Sequence, residues 1–241
     1  MNITTDTPVG EVVKINYKAA TTFQSNNIDY CCGGNQTIGE ASEKAGIQSE
    51  QLIDQLNEAM QESDPDADYI NSLDLSALAE YIVNRHHAYV RKNIPVLKEN
   101  IDKIARVHGE SHPELAKVKD EFLITAGELT MHMQKEELML FPYIRRMERA
   151  KSENQSLPSA PFGAVANSIE DMIAEHQDEG DRFERISKLT NSYTVPSDGC
   201  STYEVTFRQL ADFEKDLHRH IHLENNILFP KAQELEDSFH A

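Results

Sequence analysis

The stretch His132-Met133-Gln134-Lys135-Glu136 recurs later in the chain as His220-Ile221-His222-Leu223-Glu224. Each copy runs on at the same offset into Leu-Phe-Pro, at Leu140-Phe141-Pro142 and Leu228-Phe229-Pro230. Residues four apart on a helix lie about 40° apart around the axis and stack on one face, so the imidazole and carboxylate of each copy can reach one metal ion. The setting sets these pairs apart from ordinary solvated ones. Leu129, Met133, Glu136, Leu140 and Ile144 fall on one helical stripe, and Leu210, Phe213, Leu217, Glu224 and Ile227 on another. Both glutamates therefore point into a core. An uncompensated carboxylate there carries a large desolvation cost, which a bound cation offsets most simply.

A chain of 241 residues has room for a small module and one larger domain with a sizeable core. Hydrophobic residues make up 39% and charged residues 27%, glycine and proline are sparse, and tryptophan is absent, a make-up typical of a helical protein. The formal charge of −18 would repel a nucleic-acid backbone or an anionic membrane surface, so neither is expected as a partner. The first residues lack the basic and apolar regions of a signal peptide, and no apolar run is long enough to span a bilayer, which reads as a cytoplasmic protein. Three cysteines, Cys31, Cys32 and Cys200, are an odd number with no disulfide framework, in keeping with a reducing compartment.

Residues 1–62 read as a small domain of short helices. Val9 to Ser25 carries apolar residues at helical spacing, Thr37 with Glu40 forms a capping-box signature for a helix stopped at Gly46, and Ser49 caps a helix carrying Ile53, Leu56 and Met60. This module has little apolar surface for a core of its own, so it is expected to dock, with a homodimer as one means. Residues 63–72 read as an acidic linker. Over 73–236, four amphipathic segments follow, Leu75 to Val107, Glu114 to Lys151, Ala164 to Asn191 and Tyr203 to Glu236. Their breaks contain Gly109, Pro158-Ser159-Ala160-Pro161 and Pro196-Ser197-Asp198-Gly199, and Ser201 with Glu204 caps the last. The predicted fold is all-α, an up-down-up-down four-helix bundle preceded by a small helical domain. Pro95, Pro142 and Pro230 are expected to bend their helices locally.

The third segment places His176 on the stripe of Ile169, Ile173, Phe183 and Ile186, whereas on the first, periodicity leaves both His86 and His87 open. One histidine from each of these helices and one His-Glu pair from each of the others give four imidazoles and two carboxylates. That set suits two octahedral ions with shared carboxylates and an open position, for which iron fits well and manganese is compatible. Structural zinc favours closed tetrahedral sites, often with thiolates. His218 and His222 are expected outside or at the edge of the core, His108 and His112 as loop stabilisers, and Glu175 as a solvated neighbour of His176. Tyr89 and Tyr143 are expected in the core or beside the ligands, and Cys200 is given no role.

Cys31-Cys32 is the second chemical feature. Adjacent cysteines form a strained ring when they bridge, so they are expected as thiols, made approachable by Gly33-Gly34. The readings are ligation of a transferred iron, exchange with a partner thiol, or capture of an oxidative or nitrosative species; the alternative is a tight turn in which two small residues pack.

Taken together, Asp29-Tyr30-Cys31-Cys32-Gly33-Gly34, His132 to Pro142, Ala174-Glu175-His176 and His220 to Pro230 resemble the Repair of Iron Centers family, over nearly the whole chain. The resemblance carries over directly to His132, Glu136, His176, His220 and Glu224. The family's offset from ligand to downstream proline points to His87, although Arg85-His86-His87 carries an additional histidine. It implies a hemerythrin-like bundle with two non-haem iron ions, an oxo-bridged di-iron centre also bridged by Glu136 and Glu224. The implied function is repair of iron–sulfur clusters damaged by oxidants or nitric oxide, with damaged iron–sulfur proteins as clients and supplied iron as the means. The alternative is a di-iron enzyme or sensor that binds or reduces nitric oxide, O2 or peroxide.

Overall fold

A computed structural model describes residues 2–160 and 162–240; Pro161, named above in the third break, lies outside the described residues. The described residues form helices and no strand, so the fold is all-α. The chain divides into two compact units. The first holds residues up to Ala79, Ile144–Ser159 and residues from Arg219 on, and the second holds Glu80–Tyr143 and Ala160–His218.

In the first unit, helices α1 (Val9–Ile15), α2 (Ala19–Ser25), α3 (Ile38–Ala45), α4 (Ser49–Ala59) and α5 (Pro65–Ser72) bury Val9, Val12, Val13, Phe23, Ile38, Leu52, Leu56 and Ile70. The apolar stretch predicted as one helix is two. The Asn16 side chain donates to the Glu62 carbonyl and accepts from the Lys18 N–H, and the Tyr17 N–H bonds to Asp64 (2.9, 3.0 and 2.8 Å), which fixes a turn between α1 and α2. Thr37 and Glu40 form the expected capping box, and Gly46 closes α3 at φ 71°. Ser49 is the first residue of α4 rather than its cap. The Leu52 N–H bonds back to the Gln48 carbonyl, which puts Gln48 at the cap position with no side-chain bond. The stretch read as a linker carries α5, because Asp64 accepts from the Asp66 and Ala67 N–H groups and Pro65 opens the helix. The apolar residues of these helices are buried in the single chain, so covering them does not require a second copy.

The remaining helices are α6 (Leu75–Ile82), α7 (Ala88–His108), α8 (Glu114–Lys135), α9 (Phe141–Ser152), α10 (Val165–Leu189), α11 (Ser201–Leu223) and α12 (Phe229–Asp237). These match the four predicted segments to within a few residues. In the second unit, Phe213 of α11 anchors the core, its ring 5.6 Å from Phe122 of α8 and Phe183 of α10 and 6.1 Å from Tyr89 of α7. α11 begins at Ser201 itself; the Glu204 N–H bonds to the Cys200 carbonyl, so Cys200 stands where a cap would.

Among the described residues, three π-helical turns interrupt the long helices, Val83–His87, Glu136–Leu140 and Glu224–Leu228. In each, a backbone N–H reaches five residues back: Ala88 to Val83, Phe141 to Glu136 and Phe229 to Glu224. Pro142 and Pro230 explain two of them. A proline in a helix has no N–H to donate and clashes with the carbonyl four residues back. Here those carbonyls belong to Leu138 and Asn226, inside the turns where the ladder has already shifted register. At Pro142 and Pro230 the expected bends are thus wide turns, a feature that clusters at functional sites, whereas Pro95 lies within the α-helix α7.

Asp64→Ala removes the cap of α5 and the acceptor of the Tyr17 N–H together, at an expected cost of about 1–2 kcal/mol. A urea titration should show a lower midpoint at unchanged slope; an unchanged midpoint would mean water replaces these bonds at no cost.

Candidate metal centre

The π-turns put a candidate ligand at one end of each: His87 closes the first, Glu136 opens the second and Glu224 opens the third. In the second unit, Glu136 Oε2 lies 3.3 Å from His87 Nε2 and 3.4 Å from His132 Nε2, and His132 Nε2 lies 3.0 Å from His176 Nε2. Donors bound to one ion at about 2.1 Å stand about 3.0 Å apart at right angles and about 3.4 Å apart at tetrahedral angles. The spacing is therefore that of ligands around a cation. His87, His132, Glu136 and His176 are all at most 3% exposed. In the first unit, His220 Nε2 lies 2.9 Å from Glu224 Oε1, and both residues are at most 1% exposed. Of the six candidates, four are thus brought together in one unit and two in the other.

The outer nitrogens of two imidazoles are held by carboxylates. His87 Nδ1 lies 2.6 Å from Glu137, which also pairs with Arg91, and His132 Nδ1 lies 2.8 Å from Glu175, which also pairs with Lys135. The hydrogen bond from His132, with help from Lys135, holds the Glu175 carboxyl down at about 2 despite its partial burial. Burial opposes ionisation of Glu137, yet the bonds from Arg91 and His87 keep it below the usual carboxylate range. Ionised carboxylates only accept, so each imidazole carries a proton on Nδ1, and Nε2, which lies beside Glu136, is the nitrogen left for a metal. Carboxylates that grip the outer nitrogen of a metal-binding histidine fix its tautomer and raise its basicity. His86 differs from its neighbour: its Nδ1 lies 3.1 Å from Asp216, and its ring packs on Tyr81. His87 also stacks on Phe141, the aromatic residue of the first Leu-Phe-Pro.

Two models of known domains match the chain. The hemerythrin HHE cation binding domain matches residues 78–232, and the domain of unknown function ScdA_N (DUF542) matches residues 5–60. The iron-sulfur cluster repair protein ScdA of Staphylococcus haemolyticus is 31% identical over 229 residues, 95% of this chain and 99% of that protein. The iron-sulfur cluster repair protein YtfE of Yersinia pseudotuberculosis is 34% identical over 215 residues, 89% of this chain and 91% of that protein. The chain belongs to the Repair of Iron Centers family. No helix among the described residues is long and apolar enough to cross a membrane.

Beyond the family's residues, several groups were misplaced or missed by sequence reasoning. His222, expected at the edge, is 1% exposed, with Nδ1 3.1 Å from the Asn226 amide and its ring near Tyr17 and Tyr30. Burial, reinforced by Arg219 and Lys14, pulls its pKa down to about 3 and keeps it neutral. Its cover comes from residues about 200 positions away in the chain, a relation no periodicity reveals. Glu175 is one-third exposed but paired rather than simply solvated. His112 bonds Glu114 and Asp198, as expected of a loop stabiliser. Cys200, given no role, lies 3.3 Å from His108 Nε2, and this contact, with the N–H groups of Tyr203 and Thr202, lowers its thiol to about 7. Glu179 is buried, which pushes its carboxyl up to about 7 against the pull of Arg182. It lines a cavity of about 230 Å³ together with Glu128, Glu175, His132 and His176.

In this member of the Repair of Iron Centers family, Glu137→Ala and Glu175→Ala are each expected to weaken metal binding by about 10–100-fold. Asp216→Ala, which strips the partner from His86, should leave it unchanged. Competition with a chelator measures both; equal losses in all three variants would remove the distinction between His86 and His87.

Proposed function

We propose that this protein repairs damaged iron–sulfur clusters by supplying iron from a di-iron centre held by His87, His132, His176, His220, Glu136 and Glu224. The observation that carries the reading is the pair of glutamates with no exposed surface, each beside imidazole nitrogens in a domain of a cation-binding family. The names of the relatives, iron-sulfur cluster repair proteins, support the biological role.

The chemistry of the donor set suits the task. Imidazole and carboxylate ligands without thiolate bind borderline metals, and carboxylates shared between two ions leave positions open in octahedral shells. Bound iron would supply exchangeable ferrous ions, with an oxo bridge completing the oxidised centre. Glu137 and Glu175 keep the outer protons of His87 and His132 in place, so their Nε2 lone pairs stay directed inward. Release then requires that these lone pairs lose the metal to a competing ligand or a proton. The clients are iron–sulfur proteins that have lost iron.

A second reading, binding or reduction of nitric oxide, O2 or peroxide, draws support from the cavity of about 230 Å³ that reaches His132 and His176, a size suited to small molecules.

The test uses full-length protein, purified and then reduced. About two irons per chain are expected, falling to about half or less in Glu136→Ala and Glu224→Ala, together with transfer of iron to an apo-cluster protein. Zinc in place of iron, or a folded protein that holds no metal, overturns the di-iron centre. Sustained nitric oxide consumption without iron transfer selects the second reading over repair.

A further inference from the structure

We propose that Cys31, Cys32 and Asp29 form a second metal site, for a soft divalent cation, on the loop between α2 and α3. It is chemically distinct from the histidine and glutamate donors.

The two sulfurs lie 3.9 Å apart. Two thiolates bound to one tetrahedral ion at about 2.3 Å stand about 3.8 Å apart, so the pair already has the spacing of cis ligands. A disulfide would need a sulfur separation of about 2.0 Å across Cα atoms only about 3.8 Å apart, shorter than such bridges span without strain. The third donor is fixed by the backbone. Asp29 Oδ1 accepts from the N–H groups of Cys31 (2.9 Å) and Cys32 (3.0 Å), and Oδ2 accepts from Gly33 (2.9 Å), so the loop wraps around the carboxylate. Cys31 Sγ then lies 3.3 Å from Asp29 Oδ1, near the edge of about 3.5 Å expected between a sulfur and an oxygen ligand of one such ion. The donor atoms of all three residues lie within 4.8 Å of one another.

The loop has a rigid base. The Asn226 amide donates to the carbonyls of Tyr30 (3.3 Å) and Cys31 (3.2 Å), and Asn225 donates to the Cys31 carbonyl (3.3 Å). A Cβ on Gly34 would stand 2.2 Å from Asn226 Oδ1, so this glycine serves close approach rather than a left-handed backbone. Cys31 is buried and Cys32 is half-buried, so the site opens to solvent on the Cys32 side. Two sulfurs and one oxygen leave the fourth tetrahedral position for a ligand from outside, as a site that passes a metal on requires. Thiolates select zinc, ferrous iron and similar cations over magnesium or calcium.

Cobalt(II) is the probe, because thiolate ligation gives a near-ultraviolet charge-transfer band that imidazole and carboxylate ligands do not. Full-length protein with reduced thiols should develop this band to about one cobalt per chain. The band should vanish in the C31S/C32S double variant, persist in Cys200→Ser, and require about tenfold more cobalt in Asp29→Asn. No band in the wild type, a band that survives the double variant, or a band lost with Cys200→Ser would overturn the site. Iron measured on the same samples separates the two readings. A band in protein whose histidine–glutamate donors hold no iron keeps this site while sinking the di-iron centre, and the reverse result does the opposite.

Discussion

Burying a carboxylate completely is the constraint from which most of this structure follows. Glu136 and Glu224 have no exposed surface, and the imidazoles beside them, on His87, His132 and His220, are nearly as buried. Such groups cost several kcal/mol each to dehydrate unless charge and hydrogen bonds return. In the second unit the return is layered and occurs twice. Glu136 faces His87, which faces Glu137, which pairs with the half-exposed Arg91. Glu136 also faces His132, which faces Glu175, which pairs with the half-exposed Lys135. Both chains of contacts step from the dry core to a solvated cation. They fix which nitrogen of each imidazole faces outward and leave both Nε2 atoms beside the buried charge of Glu136, where a metal would be bound.

The helices that carry these donors must widen at the donors themselves. A π-turn adds a residue to one turn and disturbs the regular ladder, which a helix built for stability alone would avoid. The proline two residues beyond the second and third turns makes the regular alternative costly as well, since its ring would press on the carbonyls of Leu138 or Asn226. Leu-Phe-Pro is thus more than a repeat marker: its proline favours the wide turn, and its phenylalanine, in the first copy, covers the His87 ring.

What could be read in the sequence is what local spacing determines. The four long helices and the two His-Glu pairs lie on stripes whose residues are buried as the spacing requires, from Leu129 to Ile144 and from Leu210 to Ile227. What could not be read depends on distant partners. His86 and His87 are neighbours with equal claims by periodicity, and only Asp216 on one side and Glu136 with Glu137 on the other tell them apart. Residues 63–72 look like a linker because their helix is short and acidic; its cap, Asp64 before Pro65, is local, but the bond from the Tyr17 N–H that ties Asp64 to the turn between α1 and α2 comes from a distant segment. His222 looks like a surface residue because the tyrosines that cover it come from the start of the chain.

The third π-turn shows why these levels cannot be separated. Its first residue is Glu224, and its next two, Asn225 and Asn226, hold the carbonyl of Cys31. Asn226 also binds Nδ1 of the neutral His222 and fills the space left by Gly10 and Gly34, two positions where any side chain would collide with it. An asparagine in a regular helix competes poorly, since its amide prefers nearby backbone groups. In a widened turn the amides are aimed away from the helix and find the backbone of another segment. The same local distortion that sets a buried carboxylate therefore supplies the grip on the cysteine loop.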